Sequence, residues 1–172
     1  VPVGTLSRSL HESAITLPRA NGTLEILIED GGRVNYGPRL GEQKGLIGPA
    51  RLDGAELLGW QTAVVVLDGL PEAAVAATPR SMPAGASVHR ASVALGAPTD
   101  LSMSTRGLGK GLVWVNGFCL GRYWQAGPQR SLFVPAPVTR AGQNEIVVLE
   151  LDTLATPGID FLDDLDLGHL EF

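Results

Sequence analysis

The glycine cluster Gly107-Leu108-Gly109-Lys110-Gly111 is the first place where residue types and spacing bear on chemistry. A phosphate-cradling loop follows its Gly-Lys with Ser or Thr and carries a further glycine five positions before the second one. Here Gly111 follows Lys110, and Ser104 holds the earlier place. The dinucleotide pattern fails too, because Leu112 stands where its third glycine belongs. The cluster is read as a turn feeding a strand.

His11, His89 and His169 lie far apart, and none has a partner at the short spacings of zinc sites. Cys119 is the single cysteine, so no internal disulfide forms, and it is read as a small core hydrophobe. The C-terminal carboxylates Asp160, Asp163, Asp164 and Asp166 lack the glycine and closing glutamate of a calcium loop, and are read as a solvated strand end. A glycosidase needs two carboxylates held about 5–10 Å apart. Spacing singles out no such pair. No catalytic residue, metal or cofactor is therefore expected within the chain.

With 44% hydrophobic and 18% charged residues in 172, the chain carries enough apolar surface to fold. A net charge of -5 leaves no basic footprint for nucleic acid or anionic lipid. No apolar run approaches the ~20 residues that span a bilayer. The opening Val1-Pro2-Val3-Gly4 has neither an initiator Met nor a signal-peptide layout, so a piece of a longer protein is expected, compatible with cytoplasm or secretion.

Glycines (22) and prolines (12) punctuate short runs of Val, Ile and Leu, as in strands joined by turns. A first group of strands is read at 13–17, 23–29, 33–36, 45–47 and 62–67, with Leu24, Ile26 and Ile28 alternating against Glu25 and Glu29. A second group is read at 87–95, 100–104, 111–116, 118–123, 131–134 and 144–152. Its last run, Glu145 to Leu151, is apolar enough for a central strand covered on both faces. Between the groups lies an Ala/Pro-rich stretch, in which one helical turn is expected at Glu72–Ala77, after Pro71 and before Pro79. The boundary falls there, giving segments 1–70 and 71–172. The fold class is all-β, an antiparallel β-sandwich or jelly roll.

The strongest local signal is Leu112-Val113-Trp114-Val115-Asn116-Gly117-Phe118-Cys119-Leu120-Gly121-Arg122-Tyr123-Trp124, two strands about an Asn-Gly turn. Continued through Gly127-Pro128-Gln129, Leu132-Phe133-Val134-Pro135 and Asn144-Glu145-Ile146, it resembles the last, galactose-binding-like jelly roll of family 35 glycoside hydrolases, the β-galactosidases. The run from Leu24 to Gly37, with Lys44-Gly45-Leu46 and Leu57-Leu58-Gly59-Trp60, is similar to the preceding β-domain of the same enzymes.

The resemblance implies that 1–70 is the C-terminal part of a first β-domain, expected to be incomplete, and that the catalytic glutamates lie on a (β/α)₈ barrel this chain does not contain. It implies packing on that barrel, with Tyr36 beside the bound sugar or its aglycone and Arg33 and Asn35 holding the segment. A tyrosine packed at a strand end is the competing reading. Trp124, Tyr123, Arg122 and Gln129 are candidates for an independent galactoside site, against a role in the sandwich core or an interface. Without the barrel, exposed apolar surface should make the chain self-associate.

Overall fold

A computed structural model describes residues 3–18, 21–29, 31–77, 85–152, 154 and 158–168. His169 and Pro79 lie outside them. The chain divides into two compact units, Arg19–Val66 and a larger one that joins Val1–Pro18 to Leu67–Phe172.

Among the described residues of the smaller unit only a short hairpin is regular. Strands β1 (Arg51–Leu52) and β2 (Ala55–Glu56) pair antiparallel. Asp53 and Gly54 turn between them at φ of 49° and 85°, the paired positive values of a type I′ turn. The strands expected at 23–29, 33–36 and 45–47 form no ladder, and neither do 13–17 and 62–67. Alternation specifies a face, but a strand also needs a neighbour for its N–H and C=O groups. No described residue of the smaller unit is buried. Leu24, Ile26, Leu27, Ile28, Val64, Val65 and Val66 all stand exposed.

The larger unit is a β-sandwich. Helix α1 (Leu70–Ala76) begins one residue past Gly69, whose φ of 79° suits glycine, and carries Pro71 in its first turn. Then follow β3 (Ser87–Leu95), β4 (Leu101–Ser104), β5 (Lys110–Val115), β6 (Phe118–Trp124), β7 (Ser131–Val134), β8 (Gly142–Glu150) and β9 (Phe161–Leu162). One sheet has the order β3-β8-β5-β6 and the other β7-β4-β9, with every pairing antiparallel.

The core lies between the sheets. Val113, Val115, Tyr123, Ile146 and Val148 from the first meet Met103, Leu132 and Val134 from the second. Val147, between Ile146 and Val148, points the other way and is buried as well, so β8 is covered on both faces. On that outer face α1 packs against β3 and β8. Arg90 donates a hydrogen bond to the Val75 carbonyl at the end of α1, and its Nε lies 3.4 Å from Glu145.

Asp160, Asp163 and Asp164 stand exposed, as read for a solvated strand end, and only Asp166 departs from that reading, because the backbone of this segment docks on the sandwich and its carboxylate is bonded. Ser104 N–H donates to the Asp160 carbonyl at 2.8 Å. The Asp166 N–H donates to Ser131 Oγ at 2.7 Å, while Ser131 Oγ–H donates to the Asp166 carbonyl at 3.0 Å. The Asp166 carboxylate accepts from Arg106 at 2.8 Å and from Gly168 N–H at 3.0 Å, and these bonds hold its pKa below the usual carboxylate range.

Candidate functional site

The hairpin β5–β6 turns at Asn116-Gly117, with φ of 49° and 82°. The turn is locked by its own side chain. Asn116 Nδ2 donates to the Val138 carbonyl and to Asn144 Oδ1, both at 2.8 Å, and its Oδ1 accepts from Glu145 N–H at 3.0 Å.

Pairing slips between Val113 and Trp114, where Val113 faces Gly121 but Trp114 faces Cys119, leaving Leu120 as the extra residue of a bulge. The slip reverses which side chains face out. Leu120 packs on the core, and Cys119 is exposed opposite Trp114, which corrects the reading of this thiol as a core hydrophobe. Unbroken alternation from buried Tyr123 would have carried it inward.

Beyond the bulge, the rungs Leu112 with Arg122 and Lys110 with Trp124 put four side chains on the outer face. Trp124 is 47% exposed, and Lys110 Nζ lies 4.8 Å from its ring centroid, a cation–π contact. Of the four residues singled out for sugar contact, this face unites Arg122 and Trp124 and adds Lys110 and Leu112. Tyr123 points the opposite way, into the core. Gln129 is exposed and donates to the Ser131 carbonyl at 2.6 Å.

In the smaller unit, Tyr36 is 88% exposed, so it is not packed at a strand end. Arg33 and Asn35 beside it are exposed as well, on irregular backbone that turns at Gly37. A shallow open hollow of about 440 Å³ lies elsewhere in this unit, lined by Leu46, Pro49, Leu57, Leu58 and Trp60 among others.

A fully buried carboxylate, Glu150, is the feature that sequence reasoning missed. Its Oε1 accepts from Lys110 N–H at 3.0 Å and Asp152 N–H at 2.9 Å. Its Oε2 accepts from Gly109 N–H at 2.9 Å and the Tyr123 hydroxyl at 3.0 Å. Burial, reinforced by the nearby Glu150 charge and hydrogen bond, pushes the Tyr123 pKa well above that of a free phenol. The Gly107–Gly111 loop thus cradles an anion, but the anion is the protein's own.

Ser87 and His89 face the same interior, with Ser87 Oγ 2.7 Å from His89 Nε2. Serine, histidine and glutamate are the parts of an acyl-transfer triad, but all four Glu150 hydrogen bonds go elsewhere, so it does not orient the imidazole. Among the described residues, no group of three His, Cys, Asp or Glu side chains is placed to hold a metal.

Burial lowers the His89 pKa from 6.5, and the Glu150 charge opposes that shift in part. The unfolded chain therefore takes up this proton first as the solution is acidified. The His89 contribution to stability is complete above pH 6.5 and is lost as pH falls from there through the lower folded value. Urea midpoints measured across that window should decline less steeply for His89→Gln than for the parent chain. Equal slopes would contradict the assignment.

The two antiparallel sheets define a β-sandwich class, and the comparisons make it specific. Residues 86–144 match the family described as beta-galactosidase, galactose-binding domain, and residues 1–67 the one described as beta-galactosidase, first all-beta domain. The chain belongs to the β-domain region of the β-galactosidases. It is 36% identical to a beta-galactosidase of Xanthomonas manihotis over 77% of its length and 22% of that protein. It is 32% identical to beta-galactosidase-1-like protein 2 of Homo sapiens over 100% of its length and 28% of that protein. A beta-galactosidase of Mus musculus is 35% identical over 88% of this chain and 27% of that protein. The chain thus spans about a quarter of the length of these relatives.

Proposed function

We propose that this chain is the accessory β-domain region of an enzyme that hydrolyses terminal β-galactosides, with segments 1–70 and 71–172 as its two domains. It packs on the catalytic (β/α)₈ barrel of that parent, and the segment bearing Tyr36 reaches the rim of the substrate site. Arg33 and Asn35 hold the segment there. The observation that carries this reading is the smaller unit, in which no described residue is buried while an apolar run from Leu24 to Ile28 stands open. Surface of that kind is ordinarily covered by a partner.

The test is to separate the parent enzyme into its barrel and this chain. The chain alone should release no nitrophenol from a chromogenic galactoside, and mixing should restore the barrel's activity together with co-elution. Ile26→Asp should abolish co-elution. In the intact parent, Tyr36→Ala should raise KM about threefold to tenfold with a smaller change in kcat. A barrel equally active with and without the chain would overturn the proposal. Alone, the chain should self-associate, and a monomer at high concentration in light scattering would count against its exposed apolar surface being a docking face.

The half-exposed Trp124 ring supports a second reading, independent galactoside binding on the outer face of the hairpin. Saturable quenching of tryptophan fluorescence by galactose, lost in Trp124→Ala, would establish it. No saturation leaves the face to packing.

A further inference from the structure

The chain contains two Asn-Gly pairs, Asn21-Gly22 and Asn116-Gly117, in opposite environments. We infer that Asn21 is a site of spontaneous covalent modification, converting to aspartate and isoaspartate, and that the fold shields Asn116 from the same reaction.

The chemistry needs no enzyme. The backbone nitrogen of the following glycine attacks the asparagine Cγ, forming a C–N bond and losing its proton, while the side-chain amide leaves as ammonia. Water then opens the resulting cyclic imide at either carbonyl. One opening gives aspartate, and the other gives isoaspartate with the chain rerouted through the side chain. Atoms balance with water as the only co-reactant, and a neutral amide becomes a carboxylate. Glycine in the second position favours the attack because it brings no Cβ against the ring as it closes.

Asn21 meets these needs. It lies exposed in a bend, and nothing stands within 4 Å of where a Cβ on Gly22 would be. Asn116 has the same neighbour, with only Glu72 Oε1 at 3.6 Å from where a Cβ on Gly117 would stand, yet its side chain is held at three points. Its Nδ2 donates two hydrogen bonds of 2.8 Å and its Oδ1 accepts one of 3.0 Å. Its backbone N–H is held too, by the Glu145 carbonyl at 2.9 Å. To bring Cγ onto the Gly117 nitrogen, the amide must give up these bonds and the turn must open.

The test is to incubate the intact chain in mildly alkaline buffer and follow both tryptic peptides by mass spectrometry, scoring exchange of the amide NH₂ for OH and resolving the isoaspartate form. The Asn21 peptide should convert at least about tenfold faster than the Asn116 peptide. In urea strong enough to unfold the chain, the two rates should converge. Asn21→Gln, whose longer side chain would have to close a six-membered ring, should slow conversion at that position without altering the circular dichroism spectrum. Equal rates in the native chain, or faster conversion at Asn116, would overturn the inference. So would a native difference that persists in urea, because the protection would then not come from the fold.

Discussion

Replacing Glu150 with alanine is expected to destabilise the sandwich by about 3–5 kcal/mol, which is a large part of the stability of an ordinary domain. The side chain is fully buried and is surrounded by donors, namely the N–H groups of Gly109, Lys110 and Asp152 and the hydroxyl of Tyr123. Alanine would leave all of them in the interior without an acceptor. Their separate penalties of about 1–3 kcal/mol each do not simply add, since water enters part of the space and the loop relaxes.

Two further variants distinguish the role of charge and acceptor from that of shape. Glu150→Gln keeps the volume but turns an NH₂ group toward donors, so it should recover less than half of the loss. Tyr123→Phe deletes one donor and keeps the ring in the core, and it should cost about 1–2 kcal/mol. Urea unfolding followed by tryptophan fluorescence would measure all three. A loss below about 1 kcal/mol for Glu150→Ala would show that the Gly107–Gly111 loop holds its shape without the carboxylate.

Much of the larger unit is legible from sequence because its signals are local. Asn116-Gly117 announces a type I′ hairpin, and the structure places both residues at positive φ. Strands β3 and β7 have the bounds read for them, and the run from Glu145 to Leu151 falls on the central strand β8, which ends at Glu150. What escaped is set by residues distant in the chain. Glu150 lies in the run read as a central strand and nothing beside it in sequence marks it, because its partners at 109 and 110 arrive from about forty residues away.

The face of the hairpin was hidden for a different reason. Counted outward from the turn, Lys110 would oppose Tyr123, but the bulge at Leu120 advances the register by one and sets it opposite Trp124. In the smaller unit, Leu24, Ile26 and Ile28 alternate as a half-buried strand would, but no neighbouring strand pairs with them and all three stand exposed. Asp53-Gly54 carried a readable turn signal that its flanks, Arg51-Leu52 and Ala55-Glu56, did not reinforce with apolar alternation.

Adding a single methyl group at Gly111 is expected to be at least as damaging as losing Glu150, at about 4 kcal/mol or more. On propensity alone the sign would be reversed, because alanine in place of a strand glycine with ordinary φ reduces unfolded-state entropy and stabilises by about 0.4–1 kcal/mol. Packing decides otherwise. A Cβ on Gly111 would stand 1.7 Å from the Leu149 carbonyl oxygen and 2.7 Å from the Tyr123 hydroxyl. The first is backbone of a central strand and cannot swing aside as a side-chain tip would. Relief requires β5 and β8 to part, which strains the adjacent Leu151 N–H to Lys110 carbonyl bond of 2.8 Å and draws Glu150 away from its loop. Gly96→Ala is the matched control, with nothing within 4 Å of its Cβ, and it should be neutral or slightly stabilising. Because both changes act on one interface, Gly111→Ala and Glu150→Ala should fall well short of additivity in a double-mutant cycle. If Gly111→Ala folds within about 1 kcal/mol of the parent chain, close backbone approach is not what requires glycine there.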